Sequence, residues 1–310
     1  MRAQQNRTRF VVAAALVAMT GTVAAAERDA VHKVGYHPPA TSSPGLLAPA
    51  SHLPPATAAR EPGMYVFAVA PRETAAVAQR IYQPMAEYLS QATGKKVVFH
   101  HADNWLTYQA EMRRGDYDLV LDDPHFNGWR TVHLQHNVLV KAPGSSEFVV
   151  IVKQTNEKVR ELKQLAGRSI CGISPPNLGT LSVLNEFENP MRQPLIVSTQ
   201  GWDTIYNHLQ AGHCSAAILP LGNLTKYDPH SRATRVVFKA RAYPNQTLSA
   251  GPRVGAGDQA KITLALATPA ARTAIAGLRE LYEFNGDFQT ASRDDYLVAA
   301  SLLKDAWGER

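Results

Sequence analysis

Residues 112–124, Met-Arg-Arg-Gly-Asp-Tyr-Asp-Leu-Val-Leu-Asp-Asp-Pro, and residues 209–220, Leu-Gln-Ala-Gly-His-Cys-Ser-Ala-Ala-Ile-Leu-Pro, follow one grammar. Each is a helix end, a glycine stop (Gly115, Gly212), two free positions, a polar residue (Asp118, Ser215), an apolar strand and a closing proline (Pro124, Pro220). The copies stand 97 residues apart, 96 at the proline. A period of that length is domain-sized, so it describes two similar lobes and excludes a solenoid.

Working outward, the first copy closes a strand-helix-strand-helix-strand series. Residues 64–70 read as a buried strand ended by Pro71. Val77, Ile81, Met85, Leu89 and Ala92 then lie on one helical face, with Pro84 expected to kink or restart the helix and Gly94 to stop it. Residues 96–100 form the next strand, 105–114 a helix, and 117–121 the third strand. Around the second copy, 148–152, 169–173, 195–197, 216–219 and 235–239 read as strands. Helices are expected at 159–165, 181–188 and 202–211, and mostly helical chain at 258–268, 270–284 and 292–307. Strands alternating with helices imply parallel α/β sheets.

The chain has 310 residues, 45% hydrophobic and 19% charged, with a formal charge of +6 and two cysteines. The length supports two ordinary domains. A mean hydropathy of −0.22 excludes a polytopic membrane protein, and the abundant aliphatics exclude general disorder. Two cysteines exclude a disulfide scaffold or a four-cysteine zinc module.

The basic pI near 9.3 invites a nucleic-acid reading, but the charges sit in the wrong place. Arg2, Arg7 and Arg9 precede an apolar run from Phe10 to Met19, and Ala24-Ala25-Ala26 supplies small residues for cleavage. This is the pattern of a secretory signal peptide over 1–26, and the run is shorter than the ~17–25 residues of a membrane span. Cleavage after Ala26 removes three arginines and leaves +3 without a dense basic block, so no nucleic-acid partner is expected. Residues 27–62 carry seven prolines and one aromatic residue, the composition of a flexible spacer. The folded unit is then 63–310. It lacks a Gly-x-Ser-x-Gly elbow, a Walker A loop and a His-Glu-x-x-His helix, so no enzyme activity and no cofactor are expected.

Ile81-Tyr-Gln-Pro-Met-Ala-Glu-Tyr-Leu89 followed by Thr93-Gly-Lys-Lys-Val97, the step at 112–119, the opening Leu162-Lys-Gln-Leu-Ala-Gly-Arg-Ser-Ile170 and the close at 296–307 together resemble the phosphonate-type periplasmic solute-binding proteins. The resemblance covers roughly 64–307. It implies an α/β, two-lobe type II periplasmic-binding-protein fold with a ligand cleft between lobes. Lobe 1 would comprise 63–145 and 246–310 and lobe 2 146–245, with crossovers near 143–152 and 238–249. It also implies a periplasmic, monomeric component of an ABC importer that closes on a small polar solute, phosphonate- or phosphate-like by family. A sensory module for a membrane histidine kinase, or a periplasmic metal-binding protein, would use the same fold.

Ligands of such sheets bind beyond the strands' carboxyl ends. The candidate contacts there are Arg72, Trp105, Asp122, Asp123 and His125 in lobe 1, and Ser174, Asn177, Thr180, Trp202 and Asp203 in lobe 2. The second-lobe loop departs from the family pattern: Pro175 and Pro176 remove two N–H donors, and Leu178 and Gly179 stand where hydroxyls are expected. Asp122 and Asp123 occupy a place the family gives to an aromatic residue, and carboxylates repel an oxyanion. These departures point to an altered ligand. Imidazole and carboxylate at Asp122, His125 and His101 are competent metal donors; the alternative is helix capping by the aspartates and solvent-facing histidines. Arg72 has the alternative of a plain surface arginine, and Asp203 that of a helix N-terminal charge. Cys171 and Cys214 fall on or just before neighbouring strands of lobe 2, so an oxidising compartment favours a disulfide over two buried thiols.

Overall fold

The computed structural model describes residues 63–307. The expected signal peptide and spacer lie outside the described residues. The chain runs β1 (Met64–Val69), α1 (Ala75–Thr93), β2 (Lys96–His101), α2 (Trp105–Arg114), β3 (Leu119–Asp122), α3 (Pro124–His133), β4 (Asn137–Lys141) and β5 (Ser145–Ser146). There follow β6 (Phe148–Lys153), β7 (Ser169–Gly172), α4 (Leu178–Leu184), β8 (Leu195–Ser198), α5 (Trp202–Ala211), β9 (Ala216–Pro220), α6 (Leu221–Tyr227), β10 (Thr234–Lys239) and β11 (Tyr243–Pro244). It closes with β12 (Thr247–Ala250), α7 (Ala256–Leu266), α8 (Ala276–Leu281), β13 (Gln289–Thr290), α9 (Arg293–Leu297) and α10 (Leu303–Trp307).

Two sheets result. The first has the order β13-β4-β12-β3-β1-β2 and the second β10-β6-β9-β7-β8, with β5 and β11 paired as a short ribbon between them. In each sheet the strands around the repeated motif are parallel, β2-β1-β3 in one and β8-β7-β9 in the other. The motif's polar residue sits at the same point in both. Asp118 N–H bonds Val66 C=O at 2.9 Å as β3 joins β1, and Ser215 N–H bonds Ser169 C=O at 3.0 Å as β9 joins β7. Asp118 adds a second bond, its carboxylate accepting Val66 N–H at 2.8 Å.

Alternation along the strands builds the layers. In lobe 1, Phe67, Val69, Leu119 and Leu121 face Ile81, Met85 and Leu89 of α1 and Ile262 and Leu266 of α7. Each such side chain contributes roughly 1.5–3 kcal/mol on burial. Ala68, Ala70 and Val120 point the other way, toward Tyr108 and Met112 of α2 and Phe126 and Trp129 of α3. That second cluster continues without a break into lobe 2 through Phe148, Val150, Leu178 and Leu181. The far face of lobe 2 buries Val149, Ile151, Ile205 and Leu209 around Cys171 and Cys214. Those cysteines are bonded, with Cα atoms 5.6 Å apart.

Several local expectations change. α1 continues through Pro84 as one helix rather than restarting there. Pro84 and Arg80, whose carbonyl loses the Pro84 N–H as a partner, are both exposed, so solvent is at hand for that carbonyl. The helix expected at 159–165 is a 3₁₀ turn over Leu162–Leu165. α4 begins three residues earlier than expected because Asn177 caps it, its side chain accepting Thr180 N–H at 3.2 Å. The helix expected over 270–284 is a 3₁₀ turn at Pro269–Arg272 and the short α8, ended where Glu283 turns to φ 50°. The last helix is also broken, into α9, a 3₁₀ turn at Ala300–Leu302 and α10. It bends there to lay its backbone on α3: a Cβ on Gly128 would stand 2.4 Å from Tyr296 O and 3.0 Å from Ala300 N. Among the described residues no helix is long and apolar enough to cross a membrane.

Candidate functional site

β1 and β3 are parallel, with Val69 beside Leu121, so the residues that follow them emerge together. This sets Arg72, after β1, against Asp122 and Asp123, at the end of β3. Arg72 Nη2 lies 2.7 Å from Asp122 Oδ1 and 2.8 Å from Asp123 Oδ2. Asp122 is fully buried, and its remaining acceptor positions are filled from inside the lobe. The Tyr108 hydroxyl donates to Oδ2, Arg130 Nη2 donates to the same oxygen at 3.2 Å, and Asp123 N–H donates to Oδ1 at 2.9 Å. Arg130 also donates to the Tyr108 hydroxyl oxygen. Burial alone would raise the Asp122 pKa, but Arg72 and Arg130 outweigh it and hold the carboxyl below its ordinary value. Asp123 stays at the rim, accepting from Gln246 Nε2 at 3.1 Å.

Pro124 starts α3 at a position where its missing N–H costs nothing. The next residue, His125, is fully buried and crosses to the other lobe, its Nε2 lying 2.8 Å from Pro176 O. A carbonyl only accepts, so Nε2 carries the proton, and Nδ1 has no hydrogen-bond partner among the described residues. Burial lowers the His125 pKa against the opposite pull of Asp123 and Asp122, so the ring is neutral. Phe126 packs on His125 with ring centroids 4.1 Å apart, and Trp105 stacks on Phe126 at 5.9 Å with 37% of its surface exposed.

In lobe 2 the carboxyl end of β7 leads into the 174–180 loop, which contains a cis Pro175-Pro176 bond. Thr180 is fully buried and donates from Oγ1 to Ile173 O at 2.5 Å. Ser174 is half-buried, and its carbonyl accepts Asn177 N–H at 3.2 Å. Gly179 sits on the Phe148 ring, where a Cβ would come within 2.3 Å of a ring carbon, and Trp202 flanks Phe148 at 6.2 Å. Asp203 is exposed in the first turn of α5 and makes no bond to this group among the described residues.

The structure therefore brings together Arg72, Asp122, Asp123, His125 and Trp105, and joins them to the Ser174–Thr180 loop through Pro176. It leaves Asp203 apart. Neither aspartate caps α3 through its side chain. His101 turns away to Glu73 O at 3.1 Å, and among the described residues no three His, Cys, Asp or Glu side chains are placed to hold a metal ion. Tyr108, Arg130 and Gln246 are the members that reading the sequence missed. The signal for Arg130 was present: with Phe126 and Trp129 it lies on one face of α3, and an arginine on an apolar face needs a buried carboxylate.

Two α/β lobes, joined by a paired ribbon and meeting at the carboxyl ends of their parallel strands, define a two-lobe receptor for a small solute. The chain belongs to the family described as the ABC transporter, phosphonate, periplasmic substrate-binding protein, whose model matches residues 67–296. Its fold is similar to that of XAC2383 from Xanthomonas citri, solved bound to ATP: TM-score 0.62, 11% identity, covering 80% of this chain and 99% of that one. PhnD1 from Prochlorococcus marinus, in complex with methylphosphonate, gives a TM-score of 0.59 at 14% identity, covering 81% and 100%. The binding protein PA3383 of a Pseudomonas aeruginosa phosphonate transporter gives 0.52 at 14%, covering 77% and 85%. No curated protein matches the chain. The chain is thus a periplasmic substrate-binding protein of the ABC-transporter type.

Proposed function

We propose that the chain, acting as a monomer, clamps a solute between its lobes for an inner-membrane permease, and that this solute carries a positive charge beside its oxyanion. The observation behind this reading is the Arg72–Asp123 pair at the rim, where the two side chains are 22% and 19% exposed. A bare phosphonate reaching Arg72 would meet two carboxylates at hydrogen-bonding distance, and that repulsion works against it. A zwitterion relieves the repulsion by offering its cation to Asp123 while its oxyanion shares Arg72. Lobe 2 adds little anion-binding capacity at Thr180, since its hydroxyl donates to Ile173 O and its N–H to Asn177 Oδ1 within the loop itself. Trp105 supplies an apolar wall.

Residues 1–26 would direct export and be removed after Ala26, with 27–62 serving as the spacer. A sensory role ahead of a histidine kinase would use the same cleft; family membership favours transport.

Calorimetric titration of the chain from residue 27 with methylphosphonate, inorganic phosphate and 2-aminoethylphosphonate tests the proposal. The aminophosphonate should bind about tenfold or more tighter than methylphosphonate, a difference of about 1.4 kcal/mol, and Asp123→Asn should abolish the preference. Equal affinities in the parent protein would defeat the charge assignment.

A further inference from the structure

Charge is unevenly divided in the folded unit. Residues 146–245 hold eleven Lys and Arg against seven Asp and Glu, whereas 63–145 and 246–310 together hold fifteen against sixteen. Within that basic lobe, β6 starts at Phe148 beside the cleft and ends at Lys153, about 17 Å away at ~3.4 Å per residue. The starts of β7 and β9 lie at this same far edge. A cavity of about 270 Å³ opens there, lined by Lys153, Thr155, Asn156, Ser169, Gly212 and Ser215, with Cys214 in its wall.

Every polar side chain in this lining can donate. Lys153 has no ion-pair partner among the described residues, and none of the lining residues is acidic. Ser169 Oγ accepts Ser215 N–H at 3.3 Å, which leaves its own proton to give away. Asn156 uses Oδ1 on Lys158 N–H at 3.1 Å, which leaves its NH₂. The Thr155 and Ser215 hydroxyls make no protein hydrogen bond among the described residues. The frame is held from both sides. Arg235 donates to Asn156 O at 2.6 Å and Val159 O at 3.0 Å, and the Cys171–Cys214 bond anchors the opposite wall. Gly212 takes φ 85°, a backbone conformation that favours glycine, and a Cβ placed on it would lie 3.5 Å from Lys153 Nζ, an ordinary packing distance.

One cation, three hydroxyls and an amide, with no carboxylate to compete, form a lining suited to a tetrahedral oxyanion. We propose that this cavity is a second binding site, separate from the cleft, for a phosphate or sulfate group. Such a group can arrive as a free anion or as a phospholipid headgroup, and both present the same oxygens.

The test uses the chain from residue 27 labelled with ¹⁵N and titrated with inorganic phosphate. Saturable shifts are expected at the Thr155, Asn156 and Ser215 amides, and Lys153→Met should weaken them at least tenfold without altering the spectrum of the cleft residues Phe126 and Thr180. In a second arm, co-flotation with phosphatidylglycerol vesicles but not phosphatidylcholine vesicles, lost in Lys153→Met, assigns a headgroup. Phosphate binding without flotation assigns a free anion. Shifts confined to the cleft, or a Lys153→Met titration matching the parent, overturn the proposal.

Discussion

His125 of lobe 1 donates to the carbonyl of Pro176 in lobe 2 at 2.8 Å, and both belong to segments that begin at the carboxyl end of a strand. The contact therefore senses the separation of the lobes at the place where a solute would enter. Hinge closure in two-lobe receptors turns on a few such interactions.

Replacing His125 by Ala removes that bond and opens space beside Phe126. The variant should populate wider lobe separations, read as a broader distance distribution between spin labels at exposed positions such as Glu87 and Glu188. A hydrogen bond of this kind contributes about 0.5–1.5 kcal/mol, enough to change populations several-fold. A distribution identical to the parent's would show that the apolar cluster alone sets the lobe spacing.

Arg130 and Asp122 are fully buried and face each other at 3.2 Å. Asp122→Ala should destabilise lobe 1 by roughly 3–5 kcal/mol, because Arg130 is then a buried charge without its partner. In urea unfolding, pairing the change with Arg130→Met should recover much of that loss, and a double-mutant cycle should give a coupling above ~1 kcal/mol. Strict additivity would argue against the pairing.

Acid sensitivity has two sources with separate pH windows. Burial lowers the His136 pKa to about 3, assisted by Arg130 and Arg253, while its Nδ1 lies 3.1 Å from Ser249 Oγ. A histidine lowered in the folded state binds its proton more readily when unfolded. Stability should therefore fall as pH drops from ~6.5 toward about 3, by up to about 1.4 kcal/mol per pH unit for each such ring. His125 acts in the same direction. Asp122, lowered below 3.8, acts in the same direction at lower pH: its contribution is complete above the ordinary carboxylate range and is lost as pH falls through its folded value. Melting temperatures from pH 7 to 4 should decline in the parent and decline less steeply in His136→Gln; parallel curves would contradict the assignment.

The Cys171–Cys214 bond joins residues 43 apart, which in the chain-entropy picture contributes roughly 4 kcal/mol. Dithiothreitol, or the double substitution to Ser, should lower the melting temperature by several degrees. An unchanged melting curve under full reduction, verified by thiol titration, would remove the bond from the account of stability.

The fold was readable because its signals are local. The glycine stops at 94, 115 and 212 take positive φ where expected, and the strand alternation at Phe67–Ala70 and Leu119–Leu121 reappears as two packed faces. Pro84 does not restart the helix because it falls on the exposed face, and which face is exposed is decided by tertiary packing. The site was half legible. Arg72, Asp122, Asp123 and His125 stand at strand ends, and topology alone collects them. Tyr108 lies inside α2 rather than at a strand end, and Gln246 comes from a distant part of the chain, so only the assembled fold places them against the aspartates.

In the first sheet β12, residues 247–250, lies between β3 and β4. A chain emerging from its amino end thus presents β3 with an unpaired edge until nearly the whole of lobe 2 has appeared. The second sheet is contiguous in sequence and can form first. Such late long-range pairing slows folding and leaves a sticky intermediate. Pulse-labelled hydrogen exchange should accordingly protect β6, β7 and β9 before β3, and the half-built lobe is the form most in need of a chaperone.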